Sequence, residues 1–185
     1  LAFDSNEKSV ACAAEIVSLF GFSDDEIQIV HGDVLGGILP ARTDLGVTET
    51  FGQGLRIENG PEIAYQLGRI ATHLIPGVVK LSVTDSHPDD PWSWQFNQAI
   101  DLRTHNTHVS GTFVSTYPGQ REVHVRTDFL TEGGHSIVSG LRSDSLTDPM
   151  FLGAVTVPRM GDHINFRYET GPIDPQIEPE LWVSS

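Results

Sequence analysis

The feature that most constrains this chain is a change of hydrophobic period at Pro76-Gly77. Before it, Ile63, Leu67, Ile70, Ala71 and Leu74 recur at the spacing of a helix. Asn59-Gly60-Pro61 opens that helix, because proline at the first helical position gives up a hydrogen bond that no helix start makes. After the break, Val79, Leu81 and Val83 alternate with Lys80, Ser82 and Thr84. Trp92, Trp94, Phe96, Ile100 and Leu102 then alternate with Ser93, Gln95, Asn97, Asp101 and Arg103. The pattern predicts a helix over 61–75, strands over 78–84, 92–102, 109–117 and 122–130, and shorter strands over 136–142, 151–157 and 164–168. Pro118-Gly119 reads as a hairpin turn between the third and fourth strands.

The amino-terminal third is punctuated differently. Asp4 and Glu7 form a capping pair for a helix carrying Val10, Ala13, Ala14, Val17 and Phe20, with Gly21 as its stop. Ser23 and Glu26 read as a capping box for a second, short helix over 24–30. From 31 to 54, glycines and Pro40 leave a hairpin or crossing loop, followed by a strand over 54–58. The tail 171–185 contains Pro172, Pro175 and Pro179 and is expected to wrap the surface, since proline cannot donate to a central ladder.

Helices first and sheet afterwards is the α+β order. The expected fold is one domain of 185 residues: a helical or irregular part (1–58), a helix on a curved antiparallel meander (59–170) and an extended tail (171–185). The alternative is an all-β sandwich of the jelly-roll kind with a helical amino-terminal arm. The cone-like folds called hot-dog and nuclear-transport-factor-like share the helix-then-meander order. A chain of this length buries roughly 70% of its unfolded surface, so a core forms without staples.

Charge narrows the partners. Twenty-five acidic residues against eleven basic ones give a formal charge of −14, a field that repels nucleic acid and anionic membranes. No apolar run reaches the ~20 residues of a membrane span. The balance fits either a genome that favours arginine over lysine or adaptation to concentrated salt. Cys12 is the only cysteine, so multi-cysteine metal sites are excluded, and its helical pattern makes it a core thiol. These properties indicate a cytoplasmic or virion protein rather than a secreted one.

The densest polar cluster follows the strand over 78–84: Asp85-Ser86-His87-Pro88-Asp89-Asp90. Aspartates around proline start turns, and three carboxylates also suit calcium, although the EF-hand spacing is absent. His87-Pro88-Asp89-Asp90 resembles the His-Pro-Asp-Asp opening of the zinc-dependent N-acetylglucosaminyl deacetylase family. The resemblance covers four residues and implies zinc on His87 and Asp90, with Asp89 as the base. Pro91 stands where that family has glutamate. His105 and His108 form a second candidate pair between two strands. Gly134-His135-Ser136-Ile137-Val138 approximates the serine-hydrolase elbow but has Val138 in place of its last glycine, and Gly32, Gly36 and Gly37 lack the spacing of a phosphate loop.

No cofactor follows from these residues. One expectation is a lyase, isomerase or hydrolase acting on a small molecule in the concave pocket of the sheet, with Asp85, His87, Asp89 and His105 as acid–base groups and Trp92, Trp94 and Phe96 as walls. The other expectations are a self-assembling β subunit such as a viral jelly-roll capsid protein from a high-salt host, and a module that binds a ligand without turnover. The partners are accordingly a small-molecule ligand or further copies of the chain in a homo-oligomer.

Overall fold

The computed structural model describes residues 1–37, 39–49, 55–56, 59–86, 94–105, 108–130, 136–137, 149–171 and 177–185. They fall into two compact units, Leu1–Arg42 and Thr43–Ser185.

The first unit is a strand, a helix and a strand: β1 (Ala2–Asp4), α1 (Glu7–Leu19) and β2 (Ile29–His31), with β1 and β2 parallel. Asn6, in extended backbone, caps α1 by accepting from the Lys8 and Ser9 amides. Asp4 therefore ends a strand and is not the cap. Gly21, at a φ of +78°, turns the chain out of the helix, and the Phe22 amide bonds back to the Val17 carbonyl. No residue of α1 is buried, and Cys12 is exposed, which corrects the expected core thiol. Two three-residue strands cannot cover a 13-residue helix ~20 Å long.

The expected helix over 24–30 is also absent. Glu26 does accept from the Ser23 amide and hydroxyl, both at 2.9 Å, but only a turn follows. Ile27, Ile29 and Val30 are β-branched, and parallel pairing with β1 takes the chain into β2 instead.

The second unit begins with another parallel pair, β3 (Thr43–Val47) and β4 (Ala71–Ile75), with α2 (Gly60–Ile70) between them in the chain. The helix expected over 61–75 thus ends at Ile70. Arg103 is one reason: its guanidinium donates to the carbonyls of Gly68 (3.2 Å), Ala71 (3.3 Å) and Thr72 (2.9 Å), satisfying acceptors that further helix would have used. Leu67 and Ile70 are half-buried rather than buried, whereas Ala64 and Leu74 enter the core.

Antiparallel strands make up the rest: β5 (Val78–Thr84), β6 (Phe96–Asp101), β7 (His108–Val114), β8 (Gly119–Leu130), β9 (Ser136–Ile137), β10 (Met150–Val157), β11 (His163–Glu169) and β12 (Glu180–Ser184). One sheet has the order β10-β8-β5-β6, with β9 on β8; the other has the order β12-β11-β7. β5 is an interior strand of its sheet, between β8 and β6, and is buried on both faces, Val79, Leu81 and Val83 on one and Ser82 and Thr84 on the other. Its apolar face joins Val123, Val125, Ile164 and Phe166 in the core, and Phe96 meets Phe166 edge-on at 5.1 Å.

Three expectations are corrected here. The strands do not form a meander around α2, because β7 leaves for the second sheet, and no barrel closes among the described residues. Pro118-Gly119 is consequently a crossing between sheets and not a hairpin. The tail pairs after all: β12 adds to β11 as an edge strand just beyond Pro179, the position at which proline does least harm. The strand over 92–102 begins, among the described residues, at Phe96, while most of 54–58 and 138–142 lies outside them. Among the described residues no helix is long and apolar enough to cross a membrane.

Candidate functional site

Asp85, the first of the sequence candidates, is 2% exposed at the end of β5. Gln95 Nε2 donates to its Oδ1 at 2.8 Å, the Ser115 hydroxyl donates to its Oδ2, and Arg121 Nη2 donates to its backbone carbonyl at 2.9 Å. Arg121 Nε lies 3.7 Å from Oδ2, an ion pair too long for a hydrogen bond. The Arg121 guanidinium also stacks on Tyr117 at 5.4 Å. Both carboxylate oxygens are thus occupied by protein donors and sealed from water. These contacts tie the end of β5 to the segments that carry Gln95, Ser115 and Arg121.

His105 belongs to a different, exposed group. Its Nε2 is 3.4 Å from Glu62 Oε2, its ring lies 5.0 Å from that of Tyr65, and Glu62 Oε1 accepts from Gln66 at 2.8 Å. These contacts fasten α2 to the turn after β6. No described contact joins Asp85 to His105, so these two sequence candidates are not brought together. His87, Asp89 and Asp90, and with them the resemblance to the zinc deacetylases, lie outside the described residues, as do Trp92 and most of the Gly134–Val138 segment. Among the described residues no group of three His, Cys, Asp or Glu side chains could hold a metal.

The first unit carries the arrangement that the sequence reading missed. Parallel β1 and β2 are in register Ala2↔Ile29, Phe3↔Val30 and Asp4↔His31, so their carboxyl ends lie side by side. Asp4 sits at one end, and Asp33 just beyond the other. Each has its Oδ1 fixed by a backbone amide, from Asn6 at 2.7 Å and from Leu35 at 2.9 Å. Both residues are exposed, and among the described residues neither Oδ2 takes a hydrogen bond. Ligands of open α/β sheets bind outside the carboxyl ends of parallel strands, and an acidic side chain there can accept from the hydroxyls of a ribose. A strand-ending aspartate, a capped helix and an Ile-Val-His-Gly-Asp strand end were the available signals.

No protein-family model and no curated protein matches the sequence. Solved structures do match. The Trypanosoma brucei PRMT1 enzyme–prozyme heterotetrameric complex with AdoHcy aligns with a TM-score of 0.57 at 14% identity, over 98% of this chain and 79% of that one. Arabidopsis thaliana protein arginine methyltransferase 10, in an open conformation, aligns with a TM-score of 0.59 at 10% identity, over 98% of this chain and 80% of that one. At such identity the likeness is one of fold, and the fold is methyltransferase-like. It overturns the expectations of a small-molecule lyase, isomerase or hydrolase and of a jelly-roll capsid subunit. The concave pocket on which the enzyme reading stood requires a curled meander, and the strand order does not provide one.

Proposed function

We propose that this chain serves methyl transfer from an S-adenosyl cofactor to a nitrogen of a guanidinium group, which would lose a proton as the cofactor's thioether leaves. The observation that carries the reading is Asp4 at the carboxyl end of β1, beside Asp33 beyond the parallel β2. A carboxylate whose Oδ1 is already oriented by a backbone amide presents Oδ2 as an acceptor, and the two hydroxyls of a ribose are suitable donors. Asp33, held in the same way by the Leu35 amide, can accept from an exocyclic amine. The two acceptors therefore fit the nucleoside end of the cofactor, which would supply an activated methyl group on sulfur. The Trypanosoma neighbour is a complex with AdoHcy, the demethylated form of that cofactor. The charge of −14 supports the acceptor class, since a field of this sign draws in arginine-rich peptides and repels nucleic acid.

Calorimetric titration of the full chain with S-adenosylhomocysteine tests the reading. Binding is expected, and Asp4→Asn, which replaces one acceptor oxygen with a donor, should weaken it roughly tenfold or more. A folded Asp4→Asn protein that binds as tightly as the wild type would remove the basis of the proposal. Transfer of labelled methyl groups to an arginine-rich peptide, but not to its lysine-rich counterpart, is the matching activity result.

A further inference from the structure

The Ser5–Asn6 peptide unit is gripped at both ends. Its N–H, on Asn6, donates to Asp4 Oδ1 at 2.7 Å, and its carbonyl, on Ser5, lies 3.2 Å from the Nε2 of His31, twenty-six residues away. A carbonyl oxygen can only accept, so the imidazole carries its proton on Nε2 and donates. The peptide is planar, which means that fixing its oxygen fixes the direction of its N–H. The orientation of the Asp4 carboxylate is therefore set by a histidine that does not touch it.

The surroundings leave this role to His31. Gly32 bonds to the Asp4 carbonyl at 3.0 Å and so secures the end of β1, but not the next peptide. The Asn6 side chain is turned the other way, toward the Lys8 and Ser9 amides. Without the imidazole, the Ser5 carbonyl could turn to water, and the Asn6 amide would swing off Asp4. We infer that His31 is a positioning residue that aligns Asp4 for the ribose hydroxyls of the cofactor, an inference that rests on the function proposed above.

The test is titration of the full-length wild type, His31→Ala and His31→Gln with two ligands: S-adenosylhomocysteine and its analogue lacking both ribose hydroxyls. Loss of one net hydrogen bond predicts about a fivefold weaker affinity of His31→Ala for the natural ligand. Glutamine carries an amide N–H at similar reach and should restore most of the loss. The dideoxy analogue, which gives Asp4 nothing to accept, should bind wild type and His31→Ala alike. Equal weakening for both ligands would mean that His31 only supports the fold and would overturn the inference, as would no weakening at all. If the wild type binds S-adenosylhomocysteine and Asp4→Asn impairs it while His31→Ala does not, the inference falls and the proposed function stands. If the wild type binds neither ligand, both fall together.

Discussion

Replacing Asp85 with alanine should be among the most damaging single changes in the second unit, and its magnitude follows from the geometry. The carboxylate is 2% exposed and accepts from Gln95 and Ser115, while Arg121, whose side chain is 22% exposed, faces it at 3.7 Å. Alanine leaves Gln95 Nε2 without its acceptor and a largely buried guanidinium without its counter-charge, while the Ser115 hydroxyl keeps the Tyr117 carbonyl at 3.0 Å. Removing one partner of a buried ion pair costs about 3–5 kcal/mol, much of it from the charge left behind. For a chain of this length that corresponds to a fall in Tm of roughly 6–20 °C. Ser115→Ala removes one donor and should cost about 1–2 kcal/mol. The two changes share a partner, so the double variant should be less destabilised than the separate effects added together. Scanning calorimetry on the four proteins checks this. A Tm for Asp85→Ala within 2 °C of the wild type would refute the reasoning, because it would mean that the network holds nothing together.

The contrast between Asp85 and β5 explains what could be read from the sequence. β5 is described at the bounds its alternation gives, Val78–Thr84, because burial against a core dictates a period of two within seven residues. Asp85 follows it directly, yet its partners come from Gln95, Ser115 and Arg121, on segments whose approach is a property of the sheet order. β4 illustrates the same limit. Ala71 and Leu74 fit the helical stripe of α2 and also the buried face of a strand, and only pairing with β3 and the grip of Arg103 decide between them. β12 and β2 were missed because a proline-bearing tail and a capping box are local signals, overridden by partners distant in sequence. Asp4 is the most instructive case. A carboxylate just before a helix serves equally well as an N-cap or as the acid that closes a strand, and the parallel partner that distinguishes them lies beyond α1.

The remaining predictions probe packing and ionisation. A Cβ on Gly111 would lie 2.5 Å from the Phe96 ring and 2.8 Å from that of Phe166, so Gly111→Ala should lower stability by about 1–3 kcal/mol in chemical denaturation, and an unchanged midpoint would show that the aromatic pair is loosely held. Glu26 has its pKa held below the ordinary 4.5 by the backbone and hydroxyl hydrogen bonds of Ser23. A depressed carboxylate favours the folded turn above its unfolded pKa and loses that contribution as pH falls through the folded value, so the Ser23 amide resonance should move at a midpoint below 4.5. Tyr168 behaves in the opposite sense. It is 2% exposed, its hydroxyl has no hydrogen-bond partner among the described residues, and burial raises its pKa strongly while the Arg56 charge pulls it down only in part. The raised value makes its contribution to stability complete below pH 10, and that contribution is lost as pH climbs beyond it. Because a buried hydroxyl without a partner loses its hydration and gains no bond, Tyr168→Phe should leave Tm unchanged or raise it, and should abolish the latest-titrating tyrosine signal in the ultraviolet. A drop of several degrees would instead identify a hydrogen-bond acceptor for Tyr168 in the folded protein and reverse the argument.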